Sequence, residues 1–115
     1  MVQFASPALD MSFAALSDAT RRGVLDQLAR ADASISALAA RFEMTLTGMK
    51  KHVGILEKAG LVTTRKVGRV RTCSLDPAGL ASEAAWIAEQ RRMFEARFAA
   101  LDRILDEMKQ EERDG

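Results

Sequence analysis

The chain has 115 residues, of which 48% are hydrophobic and 29% are charged. A chain of this size and composition is typical of one small globular domain, because it has no room for a second full core. The formal net charge of +1 indicates no particular partner. We therefore expect a single domain over residues 1–115.

The cysteine content and the N-terminus predict the compartment. Cys73 is the only cysteine, which excludes an intramolecular disulfide. The first residues lack the basic, apolar and small-residue regions of a secretory signal, and no apolar run approaches the roughly 20 residues needed to cross a bilayer. We expect a soluble cytoplasmic protein with no membrane partner.

Hydrophobic periodicity predicts three short helices before residue 43. Apolar positions between 7 and 16 allow the first helix, and Ser17 or Asp18 is placed to cap a second one that ends near Arg30. A linker over 31–34 then leads to a third helix, whose apolar residues repeat at three, four and seven positions. The candidate caps of this third helix are Ser34 and Ser36.

A fourth helix over 46–59 has clear signals at both ends. Thr45 is a good N-cap, because its hydroxyl can accept from the exposed amides of the first turn. Gly60 suits the left-handed position just beyond the end of a helix. Together with the third helix, this segment predicts a helix-turn-helix over about 34–60.

The two faces of the fourth helix differ in chemistry. At about 100° per residue, Met49, Val53 and Leu56 share an apolar side, which should pack on Leu38 and Phe42 of the third helix. The opposite side carries Thr47, Lys51, Gly54 and Lys58.

Positive charge is concentrated in residues 45–75. This window holds seven lysines and arginines against Glu57 alone, a net charge of +6, so the other residues sum to −5. The segregation favours a polyanionic partner, and a merely solvated basic face is the alternative. Residues 61–75, rich in Val, Thr and Arg around Val67-Gly68, are typical of a two-stranded hairpin. The cations that flank its turn are Arg65, Lys66, Arg69 and Arg71.

Short helices followed by a hairpin define a winged helix-turn-helix, a mainly α fold with a small β-hairpin. In this fold the second helix of the motif enters the major groove of DNA, and the hairpin, or wing, contacts the flanking backbone. Thr47 and Lys51 lie early enough in the helix to reach base edges, whereas Lys50 and Lys58 are better placed for phosphates. The full set expected to bind double-stranded DNA is Thr45, Thr47, Gly48, Lys50, Lys51, His52, Gly54, Lys58, Arg65, Lys66, Arg69 and Arg71.

Two glycines within the fourth helix are unusual, because each costs about 1 kcal/mol of helix stability relative to alanine. Close approach of Gly48 and Gly54 to DNA is one explanation, and simple tolerance of a weaker helix is the other.

His52 and Cys73 are the residues that could suggest catalysis, metal binding or redox sensing, but the sequence offers no partners for such a role. His52 is the only histidine, so a structural or phosphate-contacting role is expected rather than catalysis or metal binding. Cys73 is expected in the core, and the alternative is a redox role in which nearby Arg71 lowers its pKa. Without a glycine-rich phosphate loop, the chain holds no constellation of nucleophile, base and orienting group. We expect no enzyme, no metal and no cofactor.

A long final helix is predicted over 77–112, because Asp76-Pro77 is a helix start and Gly79 is the only helix breaker between there and residue 112. Its apolar residues step by three and four, as in a heptad seam broken once by Arg91. The helix is too long for a small core to cover, so we expect it to pair with a second chain rather than with its own domain. The seam comprises Leu80, Ala84, Ile87, Phe94, Phe98, Leu101, Leu105 and Met108.

Several segments resemble the ArsR family of bacterial winged-helix repressors, over about residues 13–75. Residues 16–22, Leu-Ser-Asp-Ala-Thr-Arg-Arg, together with Val24-Leu25 are similar to the family's opening Leu-x-Asp-x-Thr-Arg segment. The other similar segments are Leu38-Ala39, His52-Val53 with Ile55-Leu56, Ala59-Gly60-Leu61-Val62 and Gly68-Arg69.

The resemblance implies a homodimer that binds an inverted-repeat operator and represses transcription, with the first and last helices forming the dimer contact. The chain departs from the family at Lys50 and Lys51, where a serine and a variable polar residue are usual, and at Cys73, where a wing tyrosine is common. It has neither the paired cysteines of the third helix nor the carboxylate and histidine ligand set of the last helix that metal-sensing members carry. It therefore looks like the branch without metal sensing, and no residue pattern identifies a small-molecule effector.

The leading hypothesis is thus a dimeric DNA-binding repressor. A winged-helix protein-interaction module without specific DNA binding is the alternative, and the two differ in salt dependence, because phosphate contacts weaken steeply with ionic strength.

Overall fold

The computed structural model describes residues 6–114. Within that range the elements are α1 (Pro7–Leu16), α2 (Ala19–Arg30), β1 (Ala33–Ser34), α3 (Ile35–Arg41), α4 (Leu46–Lys58), β2 (Val62–Val67), β3 (Val70–Leu75) and α5 (Ala81–Asp114). The chain divides into two compact units, one ending at Ser82 and the other beginning at Glu83. The first unit is a winged helix-turn-helix, so the predicted fold class is confirmed.

Capping side chains set where the helices of the first unit begin. The Asp18 carboxylate accepts from the amide three residues on at 3.0 Å and begins α2, and the Ser34 hydroxyl does the same for α3, also at 3.0 Å. Thr45 begins α4 as predicted, accepting from the Gly48 amide at 3.0 Å. Each such cap is worth about 1 kcal/mol. Of the alternatives that the sequence left open, Asp18 and Ser34 are the caps.

The end of α4 is a Schellman motif. Gly60 has a φ of +75°, and its amide donates to the Glu57 carbonyl at 3.0 Å. The Leu61 amide donates to the Leu56 carbonyl at the same distance. Both leucines are buried, which supplies the apolar contact that accompanies this motif.

One core holds the first unit together. Every helix and the sheet contribute to it, and the sequence prediction that α4 packs its apolar side on α3 is confirmed. The buried residues are Ala15, Val24, Leu28, Ile35, Leu38, Ala39, Met49, Val53, Leu56, Leu61, Val62 and Cys73.

The sheet has three antiparallel strands in the order β1-β3-β2. Val67 pairs with Val70, so Gly68-Arg69 is a two-residue hairpin loop, and Gly68 has a φ of +63°, as the first loop residue of a type II′ turn requires. The linker expected over 31–34 is partly wrong, because Ala33 pairs with Cys73. This pairing joins the start of α3 to the second edge of β3.

The final helix begins later than predicted. The Asp76 side chain accepts from the amide two residues on, at 2.9 Å, and the Gly79 amide donates to the Asp76 carbonyl at 2.8 Å, so a turn forms here instead of a helix. A Cβ on Gly79 would lie 3.4 Å from the Cα of Leu61, which shows how closely the turn packs on the chain after α4. Leu80 has a φ of +68° and lies outside α5, so its assignment to the seam of the final helix is wrong.

The second unit is the rest of α5. Its large apolar side chains are all extensively exposed, including Trp86, Met93 and Ile104, which the predicted seam did not contain. At about 100° per residue these three lie to one side of the seam and widen the apolar face. Among the described residues, no helix has the length and apolar character needed to span a membrane.

Gly60→Ala should lower the free energy of unfolding by about 1–2 kcal/mol, because an L-residue is strained in the left-handed conformation. Gly54→Ala is the matched control: its Cβ would meet nothing within 4 Å, so replacing a glycine in the helix interior should raise the unfolding free energy by up to about 1 kcal/mol. Urea denaturation measures both. Effects of the same sign would contradict the proposed ending of α4.

Candidate nucleic-acid interface

The outer face of α4 is polar and open to solvent. Thr47, Lys51 and Lys58 are exposed, while Met49 and Leu56 on the opposite side have no exposed surface. The three outward residues are therefore carried on a helix that cannot rotate without exposing its core side.

A cationic cleft lies between α3, α4 and the wing. It consists of two cavities, of about 320 and 450 Å³, and Lys50 and Arg71 line both of them. Lys66 and Arg69 line the smaller cavity. Four of the seven cations in the basic window thus converge on one concave surface, an arrangement that concentrates positive potential. We call this surface the cationic cleft.

Two serines of the cationic cleft, which the sequence suggests only as helix caps, are absent from the predicted DNA-binding set. Ser34 and Ser36 line the smaller cavity from the start of α3. They lie there because Ser34 pairs with Thr72 in the sheet, which brings the start of α3 beside β3. A two-residue strand has no periodicity, so the only sequence signal at this position was the capping serine.

The remaining predicted contacts lie outside the lining of the cationic cleft. Lys51 and Lys58 are exposed on α4, and Arg65 is exposed on β2. Thr45 is engaged as the N-cap of α4 through its hydroxyl.

The two glycines of α4 have different surroundings. A Cβ on Gly48 would lie 3.1 Å from the Thr45 hydroxyl oxygen and 3.3 Å from the Met44 methyl, so crowding at the N-cap accounts for that glycine. Gly54 lines the larger cavity of the cationic cleft, and its Cβ would meet no atom within 4 Å. The protein itself therefore does not require a glycine at position 54.

A hydrogen-bonded chain links α4 to the wing beside this cleft. Arg71 on β3 donates to the Thr64 hydroxyl on β2 at 2.8 Å, and that hydroxyl donates to the Glu57 carboxylate on α4 at 2.8 Å. Arg71 is thus held by a hydrogen bond within the protein, a contact that its position in the sequence does not predict.

His52 is held on the inner side of α4 by Arg21 of α2 and by Asp18, the N-cap of α2. Its Nδ1 lies 3.2 Å from the Arg21 guanidinium and 3.8 Å from the Asp18 carboxylate. Because a guanidinium can only donate, Nδ1 is the acceptor in the shorter contact. The backbone amide of Arg21 donates to Asp18 and holds the pKa of that carboxyl below its ordinary value.

The same arginine closes the end of α1. Arg21 donates to the carbonyl oxygens of Ala15 at 2.8 Å and Ala14 at 3.1 Å, and Arg22 donates to that of Leu16 at 2.7 Å. The last turn of a helix leaves such carbonyls without intrahelical partners, and the Ala14 carbonyl also accepts from Ser17. The segment 16–22 thus links α1, α2 and α4 through the hydrogen bonds of its two arginines.

Cys73 is a core residue. It has no exposed surface, and burial raises the pKa of its thiol to about 11, with Glu57 adding to the rise and Arg71 opposing it. The alternative that Arg71 gives Cys73 a low pKa is therefore wrong, because desolvation outweighs the guanidinium. In the part of the chain that the structure describes, no three His, Cys, Asp or Glu residues are grouped so as to hold a metal.

Native protein should alkylate at Cys73 with iodoacetamide at pH 8 at least about 100-fold more slowly than unfolded protein, whose thiol pKa is about 8.5. Mass spectrometry measures the rates, and Cys73→Ala controls for labelling elsewhere. Because the folded pKa is raised, the thiol's contribution to stability is complete below the unfolded pKa and declines as the pH rises towards 11. Equal rates for native and unfolded protein would show that Cys73 is accessible.

Known proteins are similar to this chain in sequence and in fold. A family model described as a helix-turn-helix domain matches residues 16–65. The HTH-type transcriptional regulator Rv2034 of Mycobacterium tuberculosis is 34% identical over 82 residues, which are 71% of this chain and 75% of that protein. The transcriptional repressor SdpR of Bacillus subtilis is 29% identical over 75 residues, 65% of this chain and 83% of that protein.

A similar crystal structure identifies the family. The ArsR family transcriptional regulator RHA00566 superposes with a TM-score of 0.74 at 42% identity, and the match covers 83% of this chain and 97% of that one. Sequence, fold and the polar face of α4 therefore agree. The chain belongs to the ArsR family of DNA-binding helix-turn-helix transcriptional regulators.

Proposed function

We propose that the chain is a homodimeric repressor that binds an inverted-repeat operator, with α4 in the major groove and the wing on the flanking backbone. The observation that carries this proposal is the cationic cleft, which lies directly beside the outer face of α4. One face can read base edges while the neighbouring cleft holds phosphates, and this division of labour is what sequence-specific binding needs.

Thr47 and Lys51 are the residues that read bases in this proposal. Thr47 can contact a thymine methyl or donate from its hydroxyl, and Lys51 can donate to the guanine acceptors of the major groove. The open space over Gly54 lets a DNA strand approach the helix backbone. Nε2 is the ring nitrogen of His52 that is left to contact a phosphate, since Nδ1 contacts Arg21.

Phosphate contacts fix the register of α4 on the duplex. Lys50, Lys66, Arg69 and Arg71 supply them from the cationic cleft, and Lys58 and Arg65 extend the charged surface on α4 and β2. Such contacts weaken with salt for every DNA sequence alike.

Dimerisation is proposed to occur through α5. Phe94 and Phe98 are 61% and 63% exposed, and they form the centre of an apolar face that continues to Met108. A contiguous apolar face that is exposed along a helix marks an association surface. Two copies of α4 would then read half-sites about 34–36 Å apart, as in other symmetric helix-turn-helix dimers. Repression is the action named for the relative SdpR, and we propose it for this chain in the cytoplasm.

Lys51→Ala should weaken binding to a duplex enriched from a random library by about 1–3 kcal/mol and should relax the base preference at one position. Lys66→Ala should instead weaken enriched and random duplexes alike and reduce the salt slope by about one per copy. Fluorescence anisotropy from low to high salt measures both effects. Full specific binding by both variants would refute the assignment, and salt-independent binding to other proteins would favour an interaction module.

Phe94→Asp combined with Phe98→Asp should yield a monomer, because each carboxylate would have to be buried without a partner in the dimer. Operator affinity should fall sharply, since one half-site contact is lost. The matched control is Ala96→Asp with Ala99→Asp, which adds the same charges to exposed positions off the seam. Light scattering gives the mass, and an unchanged dimer in the phenylalanine variant would contradict the seam.

A further inference from the structure

We propose that Thr64 is a positioning residue that couples the recognition helix α4 to the wing and so raises the preference of the protein for its operator. The inference rests on the proposed function. It starts from the chain of Arg71, Thr64 and Glu57, whose members belong to three different elements. Thr64 is the middle member, and it contacts both of the others.

The chemistry of Thr64 suits a link. A hydroxyl has one proton and two lone pairs, and Thr64 donates the proton to the Glu57 carboxylate while accepting from the Arg71 guanidinium. Both hydrogen bonds are 2.8 Å long and have a charged partner, and such bonds are stronger than those between neutral groups. The single proton of the hydroxyl and one of its two lone pairs are therefore used within the protein.

The position of the link gives it consequences for DNA. Glu57 lines the larger cavity of the cationic cleft from α4, together with Lys50 and Gly54, and Thr64 and Arg71 line it from the wing. The link thus joins the two sides of that cavity and sets the separation between cations on α4 and cations on the wing. A fixed separation fits one backbone geometry, because a preorganised surface binds its own ligand without further ordering.

Glu57 has no other evident reason to lie in this surface. It is the only carboxylate among residues 45–75 and, as an anion, opposes DNA binding. Its contact with Thr64 accounts for its presence, since it orients the hydroxyl that holds Arg71. Exposed polar contacts of this kind add little stability, so the role of the link lies in geometry rather than in folding.

Thr64→Val tests the proposal, because it removes the hydroxyl while keeping the net charge, the shape and the strand preference of the side chain. Thr63→Val is the matched control, an exposed neighbour on the same strand. Affinities are measured for a duplex that the wild-type protein enriches from a random library and for a random duplex of equal length. Thr64→Val should lower the ratio of the two affinities about 10-fold while keeping the salt slope, because it removes no charge, whereas Thr63→Val should change the ratio less than about twofold.

Glu57→Ala provides a second test that does not depend on the strand. If Glu57 acted only as a repelling charge, its removal would strengthen binding to all DNA equally and leave the ratio unchanged. The link predicts instead that the ratio falls. An unchanged ratio in Glu57→Ala, or equal ratios in the two threonine variants, would overturn the inference. A wild-type protein that enriches no sequence would overturn the proposed function itself.

Discussion

The burial of one apolar stripe of α4 is the constraint on which the interface depends. Met49, Val53 and Leu56 are almost completely removed from solvent, and each burial contributes about 1.5–3 kcal/mol. Since side chains on a helix turn together, fixing this stripe also fixes the direction of Thr47 and Lys51 on the other side. The DNA-facing residues are thus oriented by hydrophobic burial that lies entirely inside the protein.

Polar contacts hold α4 on both its inner and its outer side. On the inner side, Arg21 bonds the last carbonyls of α1 and the ring of His52, so α1, α2 and α4 meet at one guanidinium. On the outer side, Thr64 joins α4 to the wing. The recognition helix α4 is therefore linked by hydrogen bonds to α2 through Arg21 and to the wing through Thr64.

Local signals in the sequence are enough to predict much of this structure. The caps Asp18 and Thr45, the glycine that ends α4 and the period of its apolar stripe act within a few residues, and each is predictable. The start of α5 is not, because the Asp76-Pro77 signal competes with the tight packing of Gly79 on the chain after α4. Contacts between separate elements, such as the pairing of β1 with β3 and the hydrogen bonds of Thr64, produce no periodic pattern in the sequence from which they could be predicted. The thiol pKa of Cys73 is hard to predict for a similar reason, since the sequence places Arg71 nearby but does not reveal the extent of burial.

The salt dependence of binding by the wild-type protein, measured together with the mass of the complex, tests the central claim most directly. If the four cations of the cationic cleft in each of two copies neutralise one phosphate apiece, a plot of log affinity against log salt should have a slope of about −7. The mass should correspond to two chains on each duplex enriched from a random library. A complex with one chain per duplex, or an affinity that does not change with salt, would contradict the account.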